Sequence, residues 1–373
     1  MSNMENMMKY ALVTVSDSLL NCSMPYNEFA VYRQEHYLDC QHFYIALFDT
    51  FVSTTVPYPE GLSVFRCRRS LWRLWKTMQE IQEKCAKEQR EIVIHLHEGK
   101  TVLFFHLATR CQYRKRMVYT VHSLWSRYTF HNKVFSAIAS LLVRQVVCVS
   151  NSAYGEFPHI LKCKLQDRIA WIRNGVDCER VDRFAHRRTA SPDGKLRIVC
   201  VARLIPSKNQ TLLLNAVKEC PGCTLTLIGD GTNRKTLKVM AEQLGITDRI
   251  CFMGSLSRNE VFAHLYENDL YVSASEYEGL PISLLEAMRS GLPCIVSDII
   301  SHLEIRERCP ALITVENTAE GWSSAIRNFI RIGPEEREQI GNANREDVKH
   351  YFSLEEMHQH YDRIYARILG KEE

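Results

Sequence analysis

Leu270-Tyr-Val-Ser-Ala-Ser-Glu-Tyr-Glu-Gly-Leu-Pro-Ile-Ser-Leu-Leu-Glu-Ala-Met-Arg-Ser-Gly-Leu-Pro-Cys-Ile-Val296 reads as strand, loop, helix and strand in one stretch. The runs 270–273 and 293–296 are short and apolar, and the amphipathic run 282–289 lies between them. A strand that returns through a helix to a second short apolar strand is the repeating unit of a parallel sheet. The alternation extends backwards, with strands expected at 196–202, 223–228 and 249–253 and helices at 209–219, 233–244 and 259–266. The second half is therefore predicted to be an α/β, doubly wound domain.

The first half repeats the theme less regularly. Strands are expected at 10–15, 43–47, 91–96, 117–121 and 145–149, with a helix at 71–89. The polar segment 187–195 has the composition of a linker, and the tail 334–369 is helical in pattern. A chain of 373 residues has room for two domains at roughly 150 residues each. The expected division is 1–185 and 190–352, each half Rossmann-like.

Net charge is +4, but it is unevenly spread. Between Arg66 and Arg144 sixteen Lys and Arg face five Asp and Glu, so the remainder is net acidic. Such a region suits an anionic ligand or surface. Within it, segment 66–76, from Arg66 to Lys76, interleaves cations with Trp72 and Trp75. The nearer reading is an amphipathic helix that packs its tryptophans on the first-domain sheet. The second is an interfacial helix with aromatics in a membrane and cations on headgroups. Nucleic acid is not an expected partner, because no recognised nucleic-acid module is present.

No secretory signal is read at the start, and the longest apolar run, 137–149, is broken by Arg144 and too short for a bilayer span. The expectation is a cytoplasmic chain, at the inner face of the cell membrane if segment 66–76 contacts lipid. Most of the fourteen cysteines stand alone in apolar strands and read as small buried hydrophobes. Cys220-Pro-Gly-Cys223 has redox spacing, but it falls on a helix-to-strand turn at the edge opposite ligand-binding loops.

The candidate site lies where predicted strands end. Loop 274–281 leaves the carboxyl end of a strand, the edge at which open α/β sheets bind ligands. Pro281 suits the first helical position, leaving Ile282 and Ser283 to offer free backbone N–H groups to an anion such as a diphosphate. Gly279 allows close backbone approach. Glu286 on the helix can accept hydrogen bonds from a ribose diol, while Glu278 stays in the loop; helix capping and surface charge are the alternative roles. Arg203 and Lys208 follow the strand at 196–202, and a guanidinium beside an ammonium is suitable chemistry for a diphosphate. Ile228-Gly-Asp-Gly231 adds a glycine turn on the same edge.

These motifs together resemble one family. Glu278 and Glu286, with seven residues between them, match the Glu-(seven)-Glu signature of the GT4 retaining glycosyltransferases. Val201-Ala-Arg-Leu204 with Lys208-Asn209, Ile228-Gly-Asp-Gly231, Arg249-Ile-Cys-Phe-Met-Gly254 and Ile172-Arg-Asn-Gly-Val-Asp177 resemble its other landmarks in order. The match is convincing over 147–298 and thinner elsewhere.

The resemblance implies a GT-B fold, two Rossmann-like domains facing each other across a cleft, with the terminal helix, within 353–373, crossing back onto the first. It implies a UDP- or GDP-linked sugar donor, no further cofactor, no metal, and a glycan or lipid-linked glycan acceptor in surface polysaccharide or glycolipid assembly. Arg203 and Lys208 would neutralise the diphosphate and Glu286 would hold the ribose. Glu278, with Gly279, Leu280, Pro281 and Ile282, would meet the transferred sugar, and the base would sit near Gly231 and Met253. In the first domain, Tyr119-Thr-Val-His-Ser123 resembles the strand that delivers a cleft histidine, which makes His122 the candidate near the reacting carbon. His95 and His97 are read as strand-end and wall residues and not as zinc ligands.

One departure concerns segment 16–25, which contains no glycine where many relatives carry a glycine-rich loop. Two rivals remain beside a transferase: a sugar-nucleotide epimerase on the same fold, and a non-catalytic sugar-nucleotide-binding subunit of a membrane glycan assembly complex.

Overall fold

The computed structural model describes residues 10–17, 30, 32, 33, 36, 40–48, 62–186, 191 and 193–371. The chain divides into two compact units, Met1–Asn174 with Leu354–Glu373, and Gly175–Ser353. The division falls earlier than the polar segment 187–195, much of which lies outside the described residues. Hydrogen bonds and ion pairs tie the intervening residues to the second unit. The Val176 amide donates to the Phe352 carbonyl at 2.8 Å. Asp182, at the end of helix Cys178–Asp182, pairs with Arg289 and with Arg345.

The first unit is a sheet of β1 (Tyr10–Ser16), β2 (Gln41–Ala46), β3 (Ser63–Arg66), β4 (Glu91–Leu96), β5 (Met117–Val121), β6 (Gln145–Cys148) and β7 (Ile169–Trp171). Its order is β3-β2-β1-β4-β5-β6-β7, all parallel. Strand order therefore reverses between β1 and β4, which makes their carboxyl ends the switch point where such sheets bind ligands. Every residue of β1 is buried, as expected for a central strand covered on both faces.

The terminal helix Leu354–Ile368 belongs to this unit. Leu354, Met357, Tyr361, Ile364 and Tyr365 pack against Leu12, Val93, Val118 and Val147 of the sheet. Arg33 is buried against the same helix, paired with Asp362 and 3.1 Å from His358.

Helix Leu71–Lys87 begins at Ser70, whose hydroxyl accepts the Arg73 amide. It buries Leu74, Met78, Ile81 and Cys85, a stripe of helical period. Trp72 and Trp75 lie off that stripe and are exposed. The nearer reading of segment 66–76, tryptophans packed on the sheet, is thus overturned: the sheet takes the smaller aliphatic side chains.

The second unit contains β8 (Leu196–Val201), β9 (Cys223–Ile228), β10 (Ile250–Gly254), β11 (Leu270–Ser273), β12 (Cys294–Ser297) and β13 (Ile313–Val315). They are ordered β10-β9-β8-β11-β12-β13 and are all parallel. Here the order reverses between β8 and β11. Two apolar cores flank the sheet, one around Leu213, Leu227, Leu237 and Trp322, the other around Val199, Leu265, Tyr271, Leu284 and Met288. Cys220 and Cys223 are buried, their thiols facing the carbonyls of Ser323 and Cys220, and burial raises both pKa values. They are core thiols, as the turn position suggested.

Candidate functional site

The second unit's switch point gathers most of the expected residues. After β8 the chain runs through Arg203 and a short turn, Pro206–Lys208, before helix Gln210–Glu219. Asn209 adopts the left-handed conformation between them, which asparagine tolerates better than bulkier residues. Gln210 donates from Nε2 to the Arg203 carbonyl at 2.9 Å and so fixes the loop from below. Arg203 itself is exposed.

The loops are laced together by backbone hydrogen bonds. Leu204 donates to the Asp230 carbonyl at 3.0 Å, Asn233 donates to Leu204 at 2.8 Å, and Gly229 donates to Gly254 at 2.8 Å. A Cβ on Gly229 would run into the Ala202 carbonyl, and one on Gly231 into that of Leu204. Glycine is therefore required here by the closeness of the Arg203 loop. Gly231 is exposed, and Met253 on β10 is half-buried beside Gly254.

On the other side of the switch point, the Glu276 amide donates to the Ser207 carbonyl at 2.9 Å and joins the two loops directly. Lys208 forms an ion pair with Glu278, and Ser275 Oγ donates to the same carboxylate at 2.7 Å. Both partners are mostly buried, so the pair is held more firmly than a surface pair would be. Behind it, Ser297 Oγ donates to the Ser275 carbonyl at 2.6 Å. His302 Nδ1 donates to the Ser297 carbonyl at 2.8 Å, and burial holds its ring neutral, with the pKa pushed down to about 4.

Helix Ile282–Arg289 starts one residue later than Pro281 at the first helical position would imply. Pro281 is extended, φ −77° and ψ 108°, and acts as the N-cap without any side-chain capping bond. The helix N-terminus thus lies beside the Lys208–Glu278 pair, with Gly279 and Ile282 half-buried and Leu280 and Pro281 buried. A helix end of this kind favours an anion.

Glu286 is not surface charge. It is 2% exposed and pairs with Arg258, which enters from helix Arg258–Glu267. That helix, expected at 259–266, starts in the structure at a capping box, Ser257 with Glu260, and the sequence carried no sign of a pairing across so many residues. Arg258, Ser275 and His302 are the site residues that sequence reasoning missed.

The first unit has its own polar cluster at its switch point. His122, at the end of β5, lies 3.0 Å from His97 across Nε2 and Nδ1. His95 sits between Thr120 at 2.7 Å and Tyr365 at 2.8 Å, so it is a structural strand-end residue. Burial lowers the His122 pKa to about 4 and those of His95 and His97 well below the usual value. Beside them, Lys100 lies 3.2 Å from both Asp17 and Glu98. Burial, then repulsion from Asp17, push Glu98 up to about 7 despite Lys100. Asp17 and Glu98 were not singled out in the sequence; a carboxylate following each strand of the switch point was the available signal. The rest of the glycine-free segment, 18–25, lies outside the described residues.

No helix among the described residues is long and apolar enough to cross a membrane.

Comparison with known proteins places two family models end to end on the chain. Residues 39–180 match Glycosyltransferase Family 4, and residues 181–347 match Glycosyl transferases group 1. The chain is 27% identical over 266 residues to the Escherichia coli UDP-Gal:alpha-D-GlcNAc-diphosphoundecaprenol alpha-1,3-galactosyltransferase, a match covering 64% of each chain. It therefore spans less than two thirds of that relative's length. Among solved structures, sucrose-phosphate synthase from Thermosynechococcus elongatus aligns with a TM-score of 0.76 at 15% identity, covering 97% of this chain and 100% of that one. Anabaena HepE in complex with UDP and glucose aligns with a TM-score of 0.74 at 17% identity, covering 96% and 100%. These likenesses establish the GT-B class of fold. With one family model on each half and a Rossmann strand order in each unit, the chain belongs to the group 1, family 4 glycosyltransferases.

Proposed function

We propose that this chain transfers a sugar from a nucleotide-diphosphate donor to an acceptor hydroxyl, with retention of configuration and without a metal ion. The observation that carries this reading is the Lys208–Glu278 pair, set at the second unit's switch point beside a helix N-terminus without a side-chain cap. Lys208, Arg203 and the helix end supply positive potential for a diphosphate, and Glu278 with the 279–282 backbone supplies hydrogen-bonding groups for the sugar. Fixed dipoles and charges of this kind act where negative charge develops on the leaving group.

Gly231 and Met253 are proposed to flank the base. Glu286 is proposed to accept the ribose hydroxyls, which requires its carboxylate to turn in part from Arg258 toward the donor. His122, held neutral by burial, is proposed as a hydrogen-bonding group toward the reacting sugar. No side chain is assigned as a double-displacement nucleophile. The acceptor oxygen forms its bond on the face the diphosphate leaves, the anomeric C–O bond to phosphate breaks, and the departing phosphate oxygen takes the acceptor proton.

The donor is proposed to be UDP- or GDP-linked, with no further cofactor. The likeness to the E. coli galactosyltransferase, which acts on UDP-Gal and a GlcNAc-diphosphoundecaprenol, supports a UDP-sugar donor and a lipid-diphosphate acceptor. Assembly of a surface polysaccharide or glycolipid at the inner face of the cell membrane is the role proposed. The test is product analysis by NMR of donor plus acceptor, with and without EDTA. An axial donor should give an axial linkage at an unchanged rate in EDTA. An epimerised donor formed without acceptor, or binding without turnover, would replace the reading with an epimerase or a silent binding subunit.

A further inference from the structure

On one side of the first unit's sheet, helix Leu71–Lys87 packs against helix Gly99–Thr109, which packs in turn against helix Phe130–Leu142. Gly99 makes the second contact close, since a Cβ there would meet the backbone of Phe135 and Ser136. Each of these helices carries large apolar side chains that stand exposed among its charged ones. Phe130 is 77% exposed, Leu107 70% and Trp72 64%, and Val134 and Ile138 continue the Phe130 stripe at a spacing of four. Among the described residues, eight of the thirteen exposed large apolar side chains lie on these three helices. Single exposed apolar residues are ordinary, but a concentration of this kind marks a contact surface.

The same stretch carries the chain's excess of positive charge. Arg69, Arg73, Lys76 and Arg110 are all exposed there, and the Lys76 ammonium lies 5.5 Å from the centre of the Trp72 ring. We propose that this three-helix face docks on an anionic phospholipid bilayer, inserting Trp72, Leu107 and the Phe130–Val134–Ile138 stripe at headgroup depth. The surface extends well beyond segment 66–76, to a helix whose outer face the sequence did not single out.

Two features favour a bilayer over other occupants. Phe130, Leu107 and Trp72, each exposed by more than 60%, stand out from the surface and do not line a groove, which suits shallow insertion. A second copy of the chain would set one basic face against another, whereas acidic headgroups attract it. The inference rests on the first unit alone and does not depend on the donor-site reading.

The test is flotation of the full chain with vesicles of phosphatidylcholine alone or mixed with phosphatidylglycerol, at low and high salt. Wild type should float with the anionic vesicles, at least ten-fold less with neutral ones, and less at high salt. Phe130→Glu with Ile138→Glu, both at exposed positions, should reduce binding at least ten-fold while thermal stability stays unchanged. Arg69→Glu with Arg73→Glu should remove the preference for anionic vesicles. Equal binding to both vesicle types, or wild-type binding by the Phe130/Ile138 variant, would overturn the proposal. So would a dimer seen by sedimentation equilibrium that this variant dissolves while no vesicle binding occurs.

Discussion

Lys208 and Glu278 pair across the second unit's switch point, one from the loop that leaves β8 and the other from the loop that leaves β11. The two side chains join the walls of the corner proposed to receive the donor diphosphate.

Removing the cation should therefore cost more than a surface charge would. Lys208→Ala is expected to lower kcat/KM by on the order of 10²–10³-fold, the range found for one preorganised donor to a developing anion. Steady-state kinetics with the best donor check this, and thermal melting of the variant confirms folding. Glu278→Gln should reduce kcat more than it raises KM, because the pair's charge is lost while its shape remains.

Gly231, in the loop that leaves β9, offers a test of backbone packing. Gly231→Val should push the Leu204 backbone away and misplace Arg203. The expected result is weaker donor binding, at least ten-fold by calorimetry, together with a lowered Tm. An unchanged dissociation constant would show that this loop does not shape the site.

Much of the fold was legible because central strands announce themselves. β4, β5, β9, β11 and helix Ile282–Arg289 fall on the residues the pattern indicated. The strands that were not expected, β3, β7 and β13, all lie at sheet edges and are only partly buried. An edge strand buries less surface and so lacks the continuous apolar run that reading relies on. At the site, strand-end motifs located Arg203, Lys208, Glu278 and Glu286, but pairings could not be read. Arg258 meets Glu286 only because helix Arg258–Glu267 and helix Ile282–Arg289 are brought together by folding. Trp72 and Trp75 show the opposite error: hydrophobicity suggested burial, and the helical stripe through Leu74 and Met78 decided otherwise.

Acid should destabilise the chain through its buried histidines. Burial lowers His42 to about 3 and His122 and His302 to about 4, and lowers His95 and His97 well below the ordinary 6.5. The unfolded chain takes up protons below about pH 6.5 while the folded one does not, so stability is lost as pH falls from there toward 4. Tm measured between pH 8 and 4 should drop steadily below 6.5. His302→Asn, which keeps a donor for the Ser297 carbonyl, should flatten the drop.

Glu98 runs the other way. Its pKa is raised to about 7, so the contribution of its protonated form is present at low pH and is lost as pH rises from about 4.5 through 7. Glu98→Gln should raise Tm at pH 8 and leave it nearly unchanged at pH 4.5. The same gain at both values would mean that the carboxyl is not perturbed.

The central claim is that the corner built by Lys208, Glu278 and the start of helix Ile282–Arg289 binds a nucleotide-diphosphate sugar. The most direct measurement is thermal shift of wild type and Lys208→Ala with UDP, GDP, ADP and their sugar conjugates. One base should stand out and stabilise the wild type by about 2.7 kcal/mol at a hundred times its dissociation constant, and Lys208→Ala should lose most of that gain at the same concentration. Equal shifts in the two proteins, or no shift with any nucleotide, would contradict it.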